Sequence, residues 1–346
     1  MVLYLIIPIL IILFSKKINI KKMTIYDYII LIYMILICGL RYNVGTDYQL
    51  YTRMYSNIDI KVFSDTEFIF KQIINLLNNF NLNVYVFFFV IATITISLFY
   101  IQIKKQSNFP ATSLFLFVCL GYYALCFNTI RQTLAIAITL VAFKYIYDRK
   151  ALKYFLVIIV AGLVHTSAFI MIPIYFINRI NINKKNLRII FLIMILGLIA
   201  YNPIFEFITL HIDKYNSYSN INGYTFSKAG AGTYVIMIFH IIIVFILIKY
   251  KNLIEQINEG NNYYIILATF SLFFYLLSLS NTVAVRPGYY FSIYLVFALP
   301  NLFKNIFRNN YNKSMIIVAI LFMGYYLIHL ISFNSMLPYT FLLLKQ

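Results

Sequence analysis

Tryptophan is absent from this chain, cysteine occurs three times, and only ten of the 346 residues are acidic. Charged residues of both signs make up 11%, against roughly 25% in soluble globular proteins, which excludes an ordinary cytosolic enzyme. Cys38, Cys119 and Cys126 lie in apolar runs without paired or metal-ligand spacing, so they indicate neither a disulfide framework nor a metal site. Phosphate-binding loops, hydrolase nucleophile elbows and His/Cys/acid clusters of metal spacing are all missing. What is abundant is apolar: 62% hydrophobic residues and a mean hydropathy of +0.84 rule out disorder and indicate a chain that crosses a bilayer many times. Without Trp, the 32 tyrosines must supply any interfacial aromatic belt.

The net charge of +18 resembles a nucleic-acid footprint until the charges are placed. Most basic residues fall in short breaks between apolar stretches, as the positive-inside rule requires, so no nucleic-acid partner is expected. Candidate spans lie near residues 1–14, 25–40, 84–103, 111–127, 130–147, 189–207, 231–249, 262–280, 288–303 and 314–332. The fold expected is all-α: one polytopic domain over 1–346 with about ten transmembrane helices. The N-terminus lacks a basic region and a small-residue cleavage site, and is expected to be a retained first span.

Orientation turns on the apolar stretch 151–177. A single crossing there would put Arg179, Lys184, Lys185 and Arg188 outside and invert every later loop. A re-entrant hairpin broken near Gly162 to Ser167 keeps them inside, giving 19 of the 28 basic residues a cytoplasmic position. The hairpin is therefore expected, lining a cavity open to the outer face with His165 at its tip. The long external segments are then 41–83 and 208–230. The first carries an apolar stripe of Phe70, Ile73, Ile74, Leu77 and Phe80, with Ser64 and Glu67 in capping-box spacing at its start. An interfacial helix on the outer leaflet is expected there.

Polar chemistry concentrates in four places. After the second candidate span, Gly45 permits a tight turn and Thr46 with Gln49 suggests a capping box. Asp47, Tyr51 and Tyr55 would share one helical face, a carboxylate with phenols suited to sugar hydroxyls, and Asp47 is a candidate general base. The alternative is an interfacial loop with tyrosine anchors and an Arg–Asp pair. Asn128 is a candidate N-cap, placing Arg131 and Gln132 in a first helical turn. A cation there opposes the helix dipole unless an anion binds, although Arg131 could equally snorkel to headgroups. Arg286-Pro287-Gly288-Tyr289-Tyr290 repeats this logic, with Pro287 at a first helical position. Half of the eight arginines (Arg41, Arg53, Arg131 and Arg286) fall outside, where a guanidinium fork suits phosphate oxygens. His165, with Thr166 and Ser167, is either a satisfied core histidine or a proton acceptor at the hairpin tip.

Together these elements resemble the EpsG-like group of bacterial Wzy-type polysaccharide polymerases. The resemblance is carried by Arg41-Tyr42-x-Val44-Gly45-Thr46-Asp47-Tyr48-x-x-Tyr51, by Asn128-x-x-Arg131-Gln132-x-Leu134-Ala135, by His165-x-Ser167-Ala168 and by the element from Arg286 to Tyr290. It implies a glycosyltransferase of the bacterial cytoplasmic membrane, active on the outer face, that joins repeat units of O-antigen, capsule or exopolysaccharide. Donor and acceptor would both be glycans on undecaprenyl pyrophosphate, with no nucleotide sugar; no cofactor is expected, and nothing in the sequence argues for a metal. A chain-length regulator protein is a further partner the family suggests. On that reading Arg41, Arg131 and Arg286 hold pyrophosphate, and Asp47 or His165 is the base. Tyr51, Arg53, Tyr55, Asn128, Gln132 and Tyr290 contact sugar. A glycan ligase, a membrane acyltransferase and a lipid-linked glycan flippase are the alternatives.

Overall fold

Apolar runs become helices where local polar groups can satisfy their ends. The computed structural model describes residues 1–19, 21–56, 63–180, 182–211, 230–255, 261–307, 311–332 and 336–342. Among these it is helical, without a strand, apart from an isolated bridge between Arg41 and Phe341. Four helices are long and apolar enough to cross a membrane: Val84–Gln106, Ile130–Tyr147, Lys184–Phe207 and Gly232–Lys249, of 23, 18, 24 and 18 residues. Shorter apolar helices cover the other candidate spans. The external segment expected at 208–230 lies mostly outside the described residues. The chain packs as two compact units, Met1–Tyr175 with Leu299–Gln346, and Phe176–Ala298.

In the first unit, the Ile25–Gly39 helix opens on a capping box between Thr24 and Asp27, and the Val84–Gln106 helix opens on Asn83, which accepts from Tyr85 N–H and Val86 N–H. Asp27 then meets Lys104 at 2.9 Å with both side chains buried. Tyr100 donates to the same carboxylate, and Lys104 to the Ile18 carbonyl. A buried pair is tolerable only when its remaining donors and acceptors are satisfied, as here. It fastens one end of the two helices together.

Two expected spans are interrupted. The run 111–127 divides into Pro110–Cys119 and a single turn, Tyr122–Leu125. Gly121, at φ +87°, makes the break, and a Cβ there would stand 2.6 Å from the His329 ring. Likewise 288–303 divides into Tyr289–Ser292 and Leu295–Ile306.

The stretch 151–177 reverses direction. The Ala151–Val164 helix ends at His165, whose backbone is extended (φ −156°, ψ 118°), and a 3-10 helix follows over Thr166–Arg179. Tyr154 donates to the Met171 carbonyl, and the Tyr154 and Phe155 rings meet Tyr175 at 5.3 and 5.4 Å. Nearer the turn, a Cβ on Gly162 would collide with the Phe169 ring, so its absence lets the two limbs close. At 1.5 Å per residue the first limb reaches about 21 Å.

The amphipathic stretch forms the Phe68–Asn79 helix, but its stripe faces protein. Phe70, Ile74 and Leu77 are buried, Phe70 against Tyr51 and Phe87, while Phe68, Leu76 and Phe80 are exposed. The expected Ser64–Glu67 capping box does not form: the N-cap is Glu67, and it makes no side-chain cap. Its carboxylate is engaged elsewhere. The segment 336–342 straps the same unit. Tyr42 N–H bonds the Thr340 carbonyl, Leu342 N–H bonds the Leu40 carbonyl, and the Tyr339 hydroxyl bonds the Ile37 carbonyl.

In the second unit, the Lys184–His211 helix exposes Leu192, Ile193, Leu196 and Ile199, an apolar face suited to lipid. The Ala231–Lys249 and Asn261–Leu277 helices pack together through His240, whose Nε2 lies 2.5 Å from Ser271 Oγ with its ring stacked on Tyr275 at 4.0 Å.

Candidate active site

The site is built from three places in the first unit where the chain changes direction. The first is the 41–47 loop. Gly45 takes φ +101°, and a Cβ there would lie 2.4 Å from the Phe127 carbonyl, so only glycine allows the loop this close to the 127–128 backbone. Thr46 N–H and Oγ1 then donate to Asn128 Oδ1 at 2.7 and 3.0 Å, and Asn128 Nδ2 donates to the Ala124 carbonyl. Asn128 is therefore the tie between loop and helix. The N-cap of the Ile130–Tyr147 helix is Thr129, one residue later than expected, and its side chain makes no capping hydrogen bond. The Thr46–Gln49 capping box is not formed either. Asp47 is the N-cap of the Tyr48–Tyr55 helix, and Gln49 reaches back to Asn43.

Arg131 stands in the first turn of its helix, as the spacing from Asn128 predicts. Its Nη1 donates to Glu67 Oε2 at 3.0 Å, and its guanidinium also reaches the Tyr51 hydroxyl. Its Nε is buried without a hydrogen-bond partner. Glu67 is the centre of the cluster. Its Oε1 lies 3.1 Å from His165 Nδ1 and accepts from Thr166 Oγ1 at 2.8 Å and from Thr166 N–H at 3.3 Å. Burial alone would raise the Glu67 pKa. The hydrogen bond from His165, the charge of Arg131 and the Thr166 hydroxyl outweigh burial and hold it far below the usual carboxylate range. Burial pushes the Tyr51 phenol up, against the opposing charge of Arg131 and reinforced by Asp47. Asp47, Tyr51, Glu67, Arg131, His165 and Thr166 thus form one polar group, and the side chains of Arg131 and His165 remain about a fifth and a quarter exposed.

Arg41 is placed differently. It is 1% exposed, and its donors face the carbonyls of Cys38, Val44 and Phe127. The guanidinium also sits over the Phe88 and Phe127 rings at 4.8 and 5.2 Å. With its hydrogens turned on the backbone, Arg41 organises the loop. Tyr55 donates to the Leu82 carbonyl at 2.7 Å, Gln132 is buried, and Arg53 is exposed.

Arg286 and Tyr290 belong to the second unit. Arg286 is half-buried in the last turn of a 3-10 helix, Thr282–Gly288, which runs directly into Tyr289–Ser292. The expected helix start at Pro287 is thus a continuation, with Gly288 as N-cap. Tyr290 is fully buried.

Glu67 is the functional candidate that sequence reasoning missed. Its spacing from Ser64 satisfied a capping pattern, which concealed it. The signal available was electrostatic: Arg131 and His165, each without an acidic residue nearby in its own segment, call for an acidic partner from the 41–83 segment. Asp47, Asp59, Asp65 and Glu67 all qualified, and the folded chain places Glu67 against both cations. Among the described residues no group of His, Cys, Asp and Glu is gathered to hold a metal ion.

Comparison with curated proteins and with solved structures gives no match. A family model described as the EpsG family matches residues 24–341, a span holding the loop, the Glu67 cluster, the reversal at His165 and the Arg286 element, and the chain belongs to that family.

Proposed function

We propose that this chain is a polysaccharide polymerase that joins lipid-linked oligosaccharide repeat units at the outer face of the cytoplasmic membrane. Family membership supports polysaccharide polymerisation in general. The substrate class is argued from Arg131. This guanidinium sits in the first helical turn, where the dipole already favours an anion, and has a buried Nε with no partner. A diphosphate oxygen that meets the exposed fifth of this guanidinium gives the cation its second counter-charge.

The reaction then needs a proton acceptor near that anion. Arg131 and His165 bond to the two oxygens of one carboxylate, so they are neighbours by construction. The carboxylate of Asp47, by contrast, lies 3.1 Å from Thr46 Oγ1 and is linked to the cluster through Tyr51. His165 is therefore assigned as general base, and Asp47 with Tyr51 as hydroxyl-binding groups. In the proposed step an acceptor sugar oxygen attacks the anomeric carbon of the donor glycan. The bond from that carbon to pyrophosphate breaks, its electron pair leaves on the phosphate oxygen, and the hydroxyl proton passes to His165. Arg131 stabilises the charge that develops on the leaving group. The reversal at His165 is proposed as the tip of a re-entrant hairpin that carries this base into the membrane from the cytoplasmic side.

The test is the size ladder of lipid-linked and surface glycan in cells lacking the gene. Collapse to single repeat units is expected. Full-length polymer stranded on its lipid carrier would instead assign the chain as a ligase, and an unchanged ladder lacking one substituent as an acyltransferase.

A further inference from the structure

We infer that Glu67 is the positioning residue of this site, holding His165 in the tautomer that accepts a proton and fixing it against Arg131. The inference rests on the polymerase reading for its kinetic consequence, but not for its geometry.

An ionised carboxylate only accepts hydrogen bonds, so the imidazole nitrogen facing Glu67 Oε1 must carry hydrogen. In neutral His165 that leaves the lone pair on Nε2, the nitrogen turned away from Glu67. The chain makes Nδ1 the anchored atom in two ways. The extended backbone at His165 ends the preceding helix, and the next residue, Thr166, commits both its amide and its hydroxyl to the same Glu67 oxygen. His165 and Thr166 are thus clamped as a pair. When Nε2 takes a proton, the resulting imidazolium already faces a negative charge, so no reorganisation is needed at that moment.

The other oxygen, Oε2, engages Arg131 through Nη1 alone. This one-point contact holds the guanidinium while leaving its Nε uncommitted. One carboxylate therefore sets the separation between the group that receives the proton and the group that receives the leaving phosphate. The charged and titratable groups around His165 are Glu67 from the start of the Phe68–Asn79 helix and Arg131 from the start of the Ile130–Tyr147 helix. Tyr51 lies beside Arg131, and Asp47 is coupled to Tyr51.

Glu67→Gln keeps the size of the side chain and removes its charge. Purified protein in lipid, given lipid-linked repeat units, should show kcat lowered by about 10- to 1,000-fold with KM little changed. Removing the anion that faces the imidazole should move the acid limb of the pH–rate profile. Glu67→Asp should recover part of the rate, and Asp65→Asn, an exposed change two residues away, should behave as wild type. An unmoved acid limb in Glu67→Gln overturns the inference, even if the rate falls.

A second readout needs no turnover. Carbethoxylation of His165 by diethyl pyrocarbonate, followed by mass spectrometry at fixed pH, reports the reactivity of the imidazole nitrogen that Glu67 leaves free. A rate of modification that differs between Glu67→Gln and wild type sustains the Glu67–His165 pair, and equal rates overturn it. Wild-type protein that never forms polymer would defeat the polymerase reading alone, with the carbethoxylation result still deciding the pair.

Discussion

Glu67 Oε1 lies 3.1 Å from His165 Nδ1 across 98 residues of sequence, joining the start of an amphipathic helix to the turn of a helical hairpin. The same carboxylate holds Arg131 from a third element. Three chain segments are thereby tied by one side chain, and their polar groups converge at the only carboxylate among the described residues that bridges an arginine and a histidine.

The charge on Glu67 should appear in stability as a function of pH. Its folded pKa is depressed, so its contribution is fully present above the unfolded carboxylate value of about 4.3. It is lost as pH falls through the lower folded value. Thermal unfolding in detergent should therefore show wild type above Glu67→Gln at neutral pH, with the gap closing in strong acid. A gap that widens as pH falls would contradict the assignment.

Gly45→Ala should damage the site without touching a catalytic group. The substitution forces φ +101° on a residue with a Cβ and drives that atom against the Phe127 carbonyl. A cost of about 1–3 kcal/mol is expected from the backbone alone. Loosening of the Thr46–Asn128 bonds should lower glycan polymerisation further than the loss of folded protein explains, measured as polymer per membrane-inserted protein.

Removing one member of the buried Asp27–Lys104 pair should be worse than neutralising both. Lys104→Met leaves a buried carboxylate and should cost about 3–5 kcal/mol. Asp27→Asn with Lys104→Met should recover much of that. Detergent melting temperatures of the three proteins check the ordering.

Topology follows from the proposed hairpin. A periplasmic-active reporter fused after residue 60 and a cytoplasmic-active one fused after residue 185 should both be active. Inversion of the second result would mean that the 151–177 stretch crosses once, and would move the His165 turn away from the outer-face mechanism.

The apolar helices were legible because hydropathy and length are local properties. Arg131 and His165 were legible for the converse reason, as polar residues that an apolar stretch does not require. The breaks were not. Gly121 interrupts its run where His329, more than two hundred residues away, leaves no room for a Cβ. Arg41 illustrates the limit of charge counting. Its position suggests a phosphate ligand, yet carbonyls of Cys38, Val44 and Phe127 surround it, and backbone carbonyls carry no sequence signature. Glu67 was hidden because a helix-capping pattern explained it locally, while its actual partners are 64 and 98 residues distant.

Arg131 is proposed to receive the pyrophosphate of a lipid-linked glycan. The most direct measurement compares wild type, Arg131→Lys and Arg131→Ala in liposomes supplied with lipid-linked repeat units, following polymer length and released lipid pyrophosphate together. Wild type should give a ladder with matched pyrophosphate release, Arg131→Lys, which keeps the charge but loses the fork, a weak ladder, and Arg131→Ala neither product. A normal ladder from Arg131→Ala at normal protein level would contradict it.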